Sequence, residues 1–209
     1  MKTEFVSKDY TAGQLNAMVK KLIEQVGKKG PDLLLQGKLK IEAIKVSILN
    51  WIETTKTSAT TEKFVAKEKF VKDSKEVKFY GIWDIFTEWF LSDDGKIEDP
   101  IGSQELRYGN LTKDSVDRPI IEELGGEAKA ETTLSELYDL LKKQAKGEEG
   151  EEGDLLTNGY ANIFYIKNTE DVLRAVHVRW YDDGWNVLAY SVERSFGRSA
   201  GRRVFCCNS

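Results

Sequence analysis

The C-terminal third of the chain constrains the fold most. Three apolar-rich runs, residues 161–167, 172–180 and 185–192, are separated by the turn-forming stretches 168–171 (Asn-Thr-Glu-Asp) and 182–184 (Asp-Asp-Gly). Short runs rich in β-branched and aromatic residues and bounded by Asn, Asp and Gly read as strands, the first two as a hairpin. In the last run alternate side chains face opposite ways, which separates Trp185, Val187, Ala189 and Ser191 from Asn186, Leu188 and Tyr190. The first set is a large residue followed by small ones. The second has no chemical common denominator. A surface made only for solvation would be charged and turn-like, whereas a mixture of aromatic, aliphatic, amide and, further on, Arg and Cys is typical of binding surfaces.

The composition of this tail is also biased. All 23 Lys lie at or before Lys167, and the last 42 residues contain none, where about four or five would be expected at the chain-wide rate. Six of the eight Arg (Arg174, Arg179, Arg194, Arg198, Arg202, Arg203) fall there instead.

A chain of 209 residues can bury one good core, or that of a small domain beside a medium one. Its 40% hydrophobic and 32% charged residues describe an ordinary globular protein, and the net charge of −4 gives no reason to expect a nucleic-acid protein overall. No run approaches the roughly 18 apolar residues of a membrane helix, and the start lacks a signal-peptide apolar segment. A cytoplasmic protein is therefore expected. Cys206 and Cys207 are adjacent and cannot staple distant segments.

Upstream, Thr11 is placed to cap a helix through Val26, with Leu15, Met18, Val19, Leu22, Ile23 and Val26 on one stripe and Gly27 and Gly30-Pro31 ending it. In residues 32–54 the Ile spacing favours a helix, while β-branched density leaves a strand open. Residues 54–61 read as a polar linker or turn. The short repeat 63–67 and 69–72 (KFVAK, KFVK) reads as extended and half-buried, with a domain boundary near Ser74. The aromatic stretch Phe79, Tyr80, Trp83, Phe86, Trp89 and Phe90 could line a cofactor pocket, and core packing is the preferred reading. Residues 92–95 form a turn, and Asp93, Asp94, Glu98 and Asp99 lack calcium-loop spacing. Residues 99–126 look irregular, punctuated by Pro100 and Pro119. The clearest element is a helix over 134–146, with a Thr133/Glu136 capping box, an apolar stripe of Leu134, Leu137, Tyr138 and Leu141, and Gly147 as its stop. The acidic run 147–154 reads as an exposed loop.

No glycine-rich phosphate motif, zinc-protease motif or spaced Cys pair occurs. His177, the only histidine, alternates with Val176 and Val178 and reads as structural. Cys206-Cys207 has neither the spacing nor the further ligands of a metal site. The Arg and aromatic residues of the tail could contact nucleic acid, but five acidic residues from 168 onward nearly cancel its six Arg.

Residues 155–209 resemble the variable proteins of diversity-generating retroelements, most closely those of archaea and small-genome candidate bacterial phyla. Their typical ending runs N-G-Y-A-N-x-F-Y-I, then W-Y-x-x-x-W-x-V-x-A-x-S-V, then A-G-x-x-V-F-S-x-N-S. The matching residues here are 158–162 and 164–166, then Trp180, Trp185, Val187, Ala189, Ser191, Val192, Ala200, Gly201, Val204, Phe205, Asn208 and Ser209. The chain departs from the pattern at Arg198, where Trp is common nearby, and at Cys206, where Ser is usual. The resemblance implies a C-type lectin fold whose last segment displays diversified residues on a fixed backbone. In that family a mutagenic reverse transcriptase randomises template adenines. Asn codons changed at their first two bases cannot yield Lys, Glu, Gln, Met or Trp. From Tyr181 onward only Trp185 and Glu193 belong to that group.

The expected architecture is α+β: an α-rich N-terminal module, residues 1–75, read from its helical periodicity and outside the reach of the resemblance, and a C-type-lectin-like domain, 76–209, which the resemblance implies and whose variable region covers about 180–209. The implied ligand-binding positions are Tyr181, Asp182, Asp183, Gly184, Asn186, Leu188, Tyr190, Arg194, Ser195, Phe196, Ser199, Arg202, Cys206 and Cys207. Trp180, Trp185, Val187, Ala189, Val204 and Phe205 are the implied scaffold. The expected function is non-enzymatic binding of a macromolecular ligand, a protein rather than a nucleic acid, with no cofactor and no metal. The alternatives are a nucleic-acid-binding module using the Arg/aromatic surface and a cysteine-dependent enzyme on the same fold.

Overall fold

A computed structural model describes residues 12–27, 47–147 and 153–208. The chain divides into two compact units, Met1–Val46 and Ser47–Ser209. In the first, the expected helix spans Ala12–Val26, and the N–H of Gly27 donates to the carbonyl of Ile23 at 2.9 Å. Thr11, Gly30-Pro31 and residues 32–46 lie outside the described residues. So do most side chains of the expected stripe, although Val19 is exposed.

The larger unit is α+β. Its strands are β1 (Leu49–Lys56), β2 (Phe64–Val65), β3 (Phe79–Ile82), β4 (Ile97–Glu98), β5 (Glu105–Leu111), β6 (Glu131–Thr132), β7 (Asn162–Lys167), β8 (Leu173–Tyr181), β9 (Gly184–Ser191) and β10 (Arg203–Cys207). Eight of them build a sheet in the order β1-β5-β10-β7-β8-β9-β3, with β6 beside β7, while β2 and β4 pair separately. The pairings are antiparallel except β10–β7, β6–β7 and β3–β9. The expected hairpin and the strand after it therefore form one meander, β7–β8–β9.

The centre of this sheet is covered on both faces, and its sequence shows why. Ile163, Phe164, Tyr165 and Ile166 are consecutive and all buried, as in strands that have no solvent side. Phe164, Val176, Val178, Trp185, Val187, Ala189 and Phe205 cluster with the helix Leu134–Lys143 and with Phe70, Phe86 and Phe90. Ile163, Tyr165, Ala175, Val204 and Cys206 cluster instead with Ile120, Ile121 and Leu124 of the helix Asp117–Leu124. Phe164 and Phe205 stack at 4.5 Å. Trp185 is fully buried, and its Nε1–H donates to the carbonyl of Gln144 at 2.8 Å, so the indole brings no unpaired donor into the core.

The Leu134–Lys143 helix carries the expected capping box: Thr133 N–H donates to Glu136 Oε2 at 2.7 Å, and Glu136 N–H donates to Thr133 Oγ1 at 3.2 Å. Its first turn has a further partner. The Glu98 carboxylate accepts from the N–H groups of Leu134 and Ser135, each at 2.9 Å, neutralising orphan donors where the helix dipole favours negative charge.

The larger unit begins at Ser47 and includes β1, which is knit to β5 along its whole length. Two expectations are corrected. Residues 99–126 are not irregular. They contain β5 and the Asp117–Leu124 helix, in which Pro119 sits in the first turn, where a missing N–H breaks no helical bond. The KFVAK repeat is extended only at β2 and then turns helical over Ala66–Lys69. The aromatic stretch divides: Phe79, Phe86 and Phe90 are core, while Tyr80 and Trp83 are exposed. Among the described residues no helix is long and apolar enough to cross a membrane.

Thr133→Ala is expected to lower unfolding stability by about 1 kcal/mol, read from the urea midpoint.

Candidate functional site

Antiparallel register sets Ala175, His177 and Arg179 of β8 opposite Tyr190, Leu188 and Asn186 of β9, so these side chains share one face of the sheet. Toward Ala175 and Tyr190 this face closes on the core beneath the Asp117–Leu124 helix. Further along β8 and β9 it opens into hollows. The segment between β9 and β10 supplies their other wall.

That segment is clamped along its length. Arg198 is 3% exposed and Asp117 is fully buried. The guanidinium grips the carboxylate with two nitrogens, Nε at 3.1 and 3.2 Å from its two oxygens and Nη2 at 2.6 Å from Oδ2. The Tyr165 hydroxyl donates to Asp117 Oδ1 at 3.0 Å. Burial, and then the Asp117 carboxylate, push this phenol well above its ordinary pKa, so it remains a donor. The backbones of Ser115 and Arg198 bond reciprocally. Ala200 N–H donates to Asp114 Oδ1 at 2.9 Å, and Leu111 exchanges bonds with Gly201 and Arg202, each at 2.8 Å. Glu193 pairs with Arg118 at the other end. Between these ties Arg194, Ser195, Phe196 and Ser199 stand exposed, Phe196 at 65%.

The expected binding positions divide into three groups. Tyr181, Asp182, Asp183, Arg194, Ser195, Phe196 and Ser199 are exposed, and Leu188, Tyr190 and Arg202 are half-buried. Tyr190, Arg194, Phe196 and Arg202 line one hollow. The Arg194 guanidinium lies 4.8 Å from the Phe196 ring centre and 5.4 Å from that of Tyr190. A band of exposed aromatics borders the β3 edge, where Tyr181 meets Tyr80 edge-on at 5.4 Å. Asp182 and Asp183 belong elsewhere: with Trp180 and Lys78 they line a separate hollow, and Lys78 pairs with Asp183 at 3.0 Å.

Gly184, Asn186 and Cys206 are buried and not displayed. A Cβ at Gly184 would lie 2.5 Å from the backbone nitrogen of Tyr80, so β3 approaches too closely for any side chain. Asn186 Oδ1 accepts from Trp83 Nε1 at 3.3 Å, which turns this amide into a strut under the β3 edge. Cys206 packs in the core beside the Asp117–Leu124 helix because β10 runs between β5 and β7 rather than along an edge. Cys207 is half-buried and its thiol donates to the carbonyl of Glu131 at 3.0 Å. Burial pushes the Cys206 thiol up to about 11 and raises that of Cys207 as well. Of the scaffold set, Trp185, Val187, Ala189, Val204 and Phe205 are buried, and Trp180 is half-buried, edge-on to Trp185 at 5.4 Å.

Several residues that matter here were not among the expected binding positions. Tyr160, His177 and Arg179 join Leu188, Tyr190, Ser199 and Arg202 around a recess of about 240 Å³. Burial, and then the charges of Arg198, Arg202 and Arg179, hold His177 well below the ordinary imidazole pKa, so it is neutral at pH 7. Asp117 and Arg198 are 81 residues apart. Only the Arg excess of the tail hinted at such a cluster.

Asp117→Ala would leave Arg198 buried without a counter-charge, and is expected to cost about 3–5 kcal/mol of unfolding free energy. Combining it with Arg198→Met should recover most of that loss, read from a urea double-mutant cycle. Compared with known proteins, the chain matches no family model, no curated protein and no solved structure.

Proposed function

We propose that this chain is a non-enzymatic binding protein of the diversity-generating-retroelement type. In this reading its C-terminal unit is C-type-lectin-like, and its last 30 or so residues present diversified side chains to a protein ligand. The observation that carries the reading is the clamped segment between β9 and β10. Its backbone is tied at Arg198, Ala200, Gly201 and Arg202, and the side chains of Glu193 and Arg198 add ion pairs with Arg118 and Asp117, while Arg194, Ser195, Phe196 and Ser199 point to solvent. A backbone fixed by groups other than the displayed side chains tolerates changes in them, and avoids the ordering cost that a mobile loop would incur on binding. Tyr181, Tyr190 and Phe196 serve as aromatic anchors, and Arg194 and Arg202 as charged ones. Glu193, which adenine-directed mutation of an Asn codon cannot produce, is one of the tying residues. Gly184, Asn186 and Cys206 drop out of the display set because they are buried.

The alternatives find less support. Thiol chemistry needs a thiolate in an accessible, electropositive setting, whereas Cys206 is buried and both thiols are shifted upward. For nucleic acid, three of the six tail arginines are engaged internally: Arg198 with Asp117, Arg203 with Asn110 and Asp154, and Arg174 on the Trp89 ring at 3.9 Å.

Tyr190→Ala and Phe196→Ala are each expected to abolish pull-down of the partner while leaving the fold intact. Unchanged capture by both would sink the assignment. In the neighbouring DNA, the reading requires a near-identical repeat of the gene's 3′ end that differs only at adenines, beside a reverse transcriptase gene. A thiol reagent at pH 7 should label Cys206 and Cys207 slowly and label both quickly in denaturant; one abnormally fast thiol in the native state would favour the enzyme instead.

A further inference from the structure

The recess beneath Tyr190 holds more positive charge than its surroundings neutralise. Arg179 and Arg202 both line it. Among the described residues neither has a carboxylate within ion-pair distance, and none of the lining residues is acidic. The acid whose charge bears on Arg202, Asp117, is already held by Arg198 and Tyr165. Burial, and then the Arg198 charge, press the Arg202 guanidinium below its ordinary range, the mark of a cation desolvated beside another cation.

Two buried nitrogens on this recess are also without partners. His177 is only 4% exposed, and its Nε2 has no hydrogen-bond partner. The Nε of Arg179 is likewise buried and unpartnered. Buried polar atoms are nearly always satisfied, and both of these belong to residues that line the recess, so a polar group entering it from outside the chain is placed to meet them. A recess of about 240 Å³, walled by Tyr160, Leu188 and Tyr190, has room for one such group on a short apolar stem. A nucleic-acid backbone would instead need a continuous basic track, and the exposed Asp182, Asp183 and Glu193 belong to this same tail.

We infer that the recess is a carboxylate site: Arg179 and Arg202 supply the charge and His177 Nε2–H a hydrogen bond to an acidic side chain or chain terminus of the partner. This rests on the reading of the surrounding surface as protein-binding, and adds to it the chemistry that the partner presents. Guanidiniums suit the role because their planar fork matches a carboxylate. Tyr160, His177 and Arg179 all precede residue 180, so half of the site lies outside the segment proposed to vary. An anchor common to many diversified copies would then sit beside side chains that differ among them.

His177 is the only histidine, so protein carrying ¹³C-histidine gives a single ring signal that reports on the recess. At constant ionic strength, the full chain is titrated with propionate, with inorganic phosphate and with a short single-stranded oligonucleotide. Propionate is expected to shift the His177 signal saturably. Arg179→Gln and Arg202→Gln should each weaken that response about tenfold, as for loss of a charge-assisted bond, and Arg179→Lys should retain part of it. The urea midpoint of each variant establishes that it folds, and the Lys variant carries the test if a Gln variant does not. Absence of a saturable shift with propionate overturns the inference, as does a shift that survives in the Arg179→Gln/Arg202→Gln double variant. Tighter binding of phosphate or of the oligonucleotide overturns the assignment to carboxylate. Loss of partner capture is read on Phe196→Ala, which lies outside the recess, so failure of the display reading and failure of the carboxylate site give different patterns.

Discussion

The arrangement of the C-terminal surface depends on one buried ion pair. Arg198 and Asp117 are joined through two guanidinium nitrogens, with Tyr165 of the central strand as the third member. Such a pair adds little net stability, since desolvation offsets most of the attraction, but losing one partner strands a charge in the core. It therefore selects a single position for the chain between β9 and β10. That choice sets the start of the Asp117–Leu124 helix, the entry of β10 into the middle of the sheet and the line along which Arg194, Ser195, Phe196 and Ser199 emerge.

The arginines of the tail do two different jobs. Arg174, Arg198 and Arg203 are spent inside the molecule, on the Trp89 ring, on Asp117, and on Asn110 and Asp154 respectively. Arg179, Arg194 and Arg202 have no carboxylate within ion-pair distance among the described residues. They border the hollows around Tyr190. A compositional bias that looks uniform along the sequence is thus half architecture and half surface. Lys would serve the first role poorly, since a buried, bidentate grip on a carboxylate needs the planar fork.

The chain's periodicity made much of the fold legible. The β7–β8–β9 meander and the Leu134–Lys143 helix with its capping box lie where pattern and cap residues put them, because these are local choices made by neighbouring residues. The β5 strand and the Asp117–Leu124 helix were not legible. β5 mixes Arg, Gly and Asn among its apolar residues, and the helix is short with Pro119 in its first turn. Both are held by what they pack against.

For the surface around Tyr190, the sequence by itself determined which side chains of β9 share a face, since alternation follows from backbone geometry, and it set Trp185, Val187 and Ala189 apart from Asn186, Leu188 and Tyr190. It could not say which members of the opposite face reach solvent. The tertiary structure decided that. Asn186 and Gly184 are closed off because β3 pairs beside β9, Cys206 is buried because β10 is an interior strand, and His177 and Arg179 face a recess because the segment after β9 folds across to meet Asp117. The physical reason is that periodicity encodes direction, whereas exposure depends on which distant segment arrives to cover a face, and that is settled by contacts many residues apart.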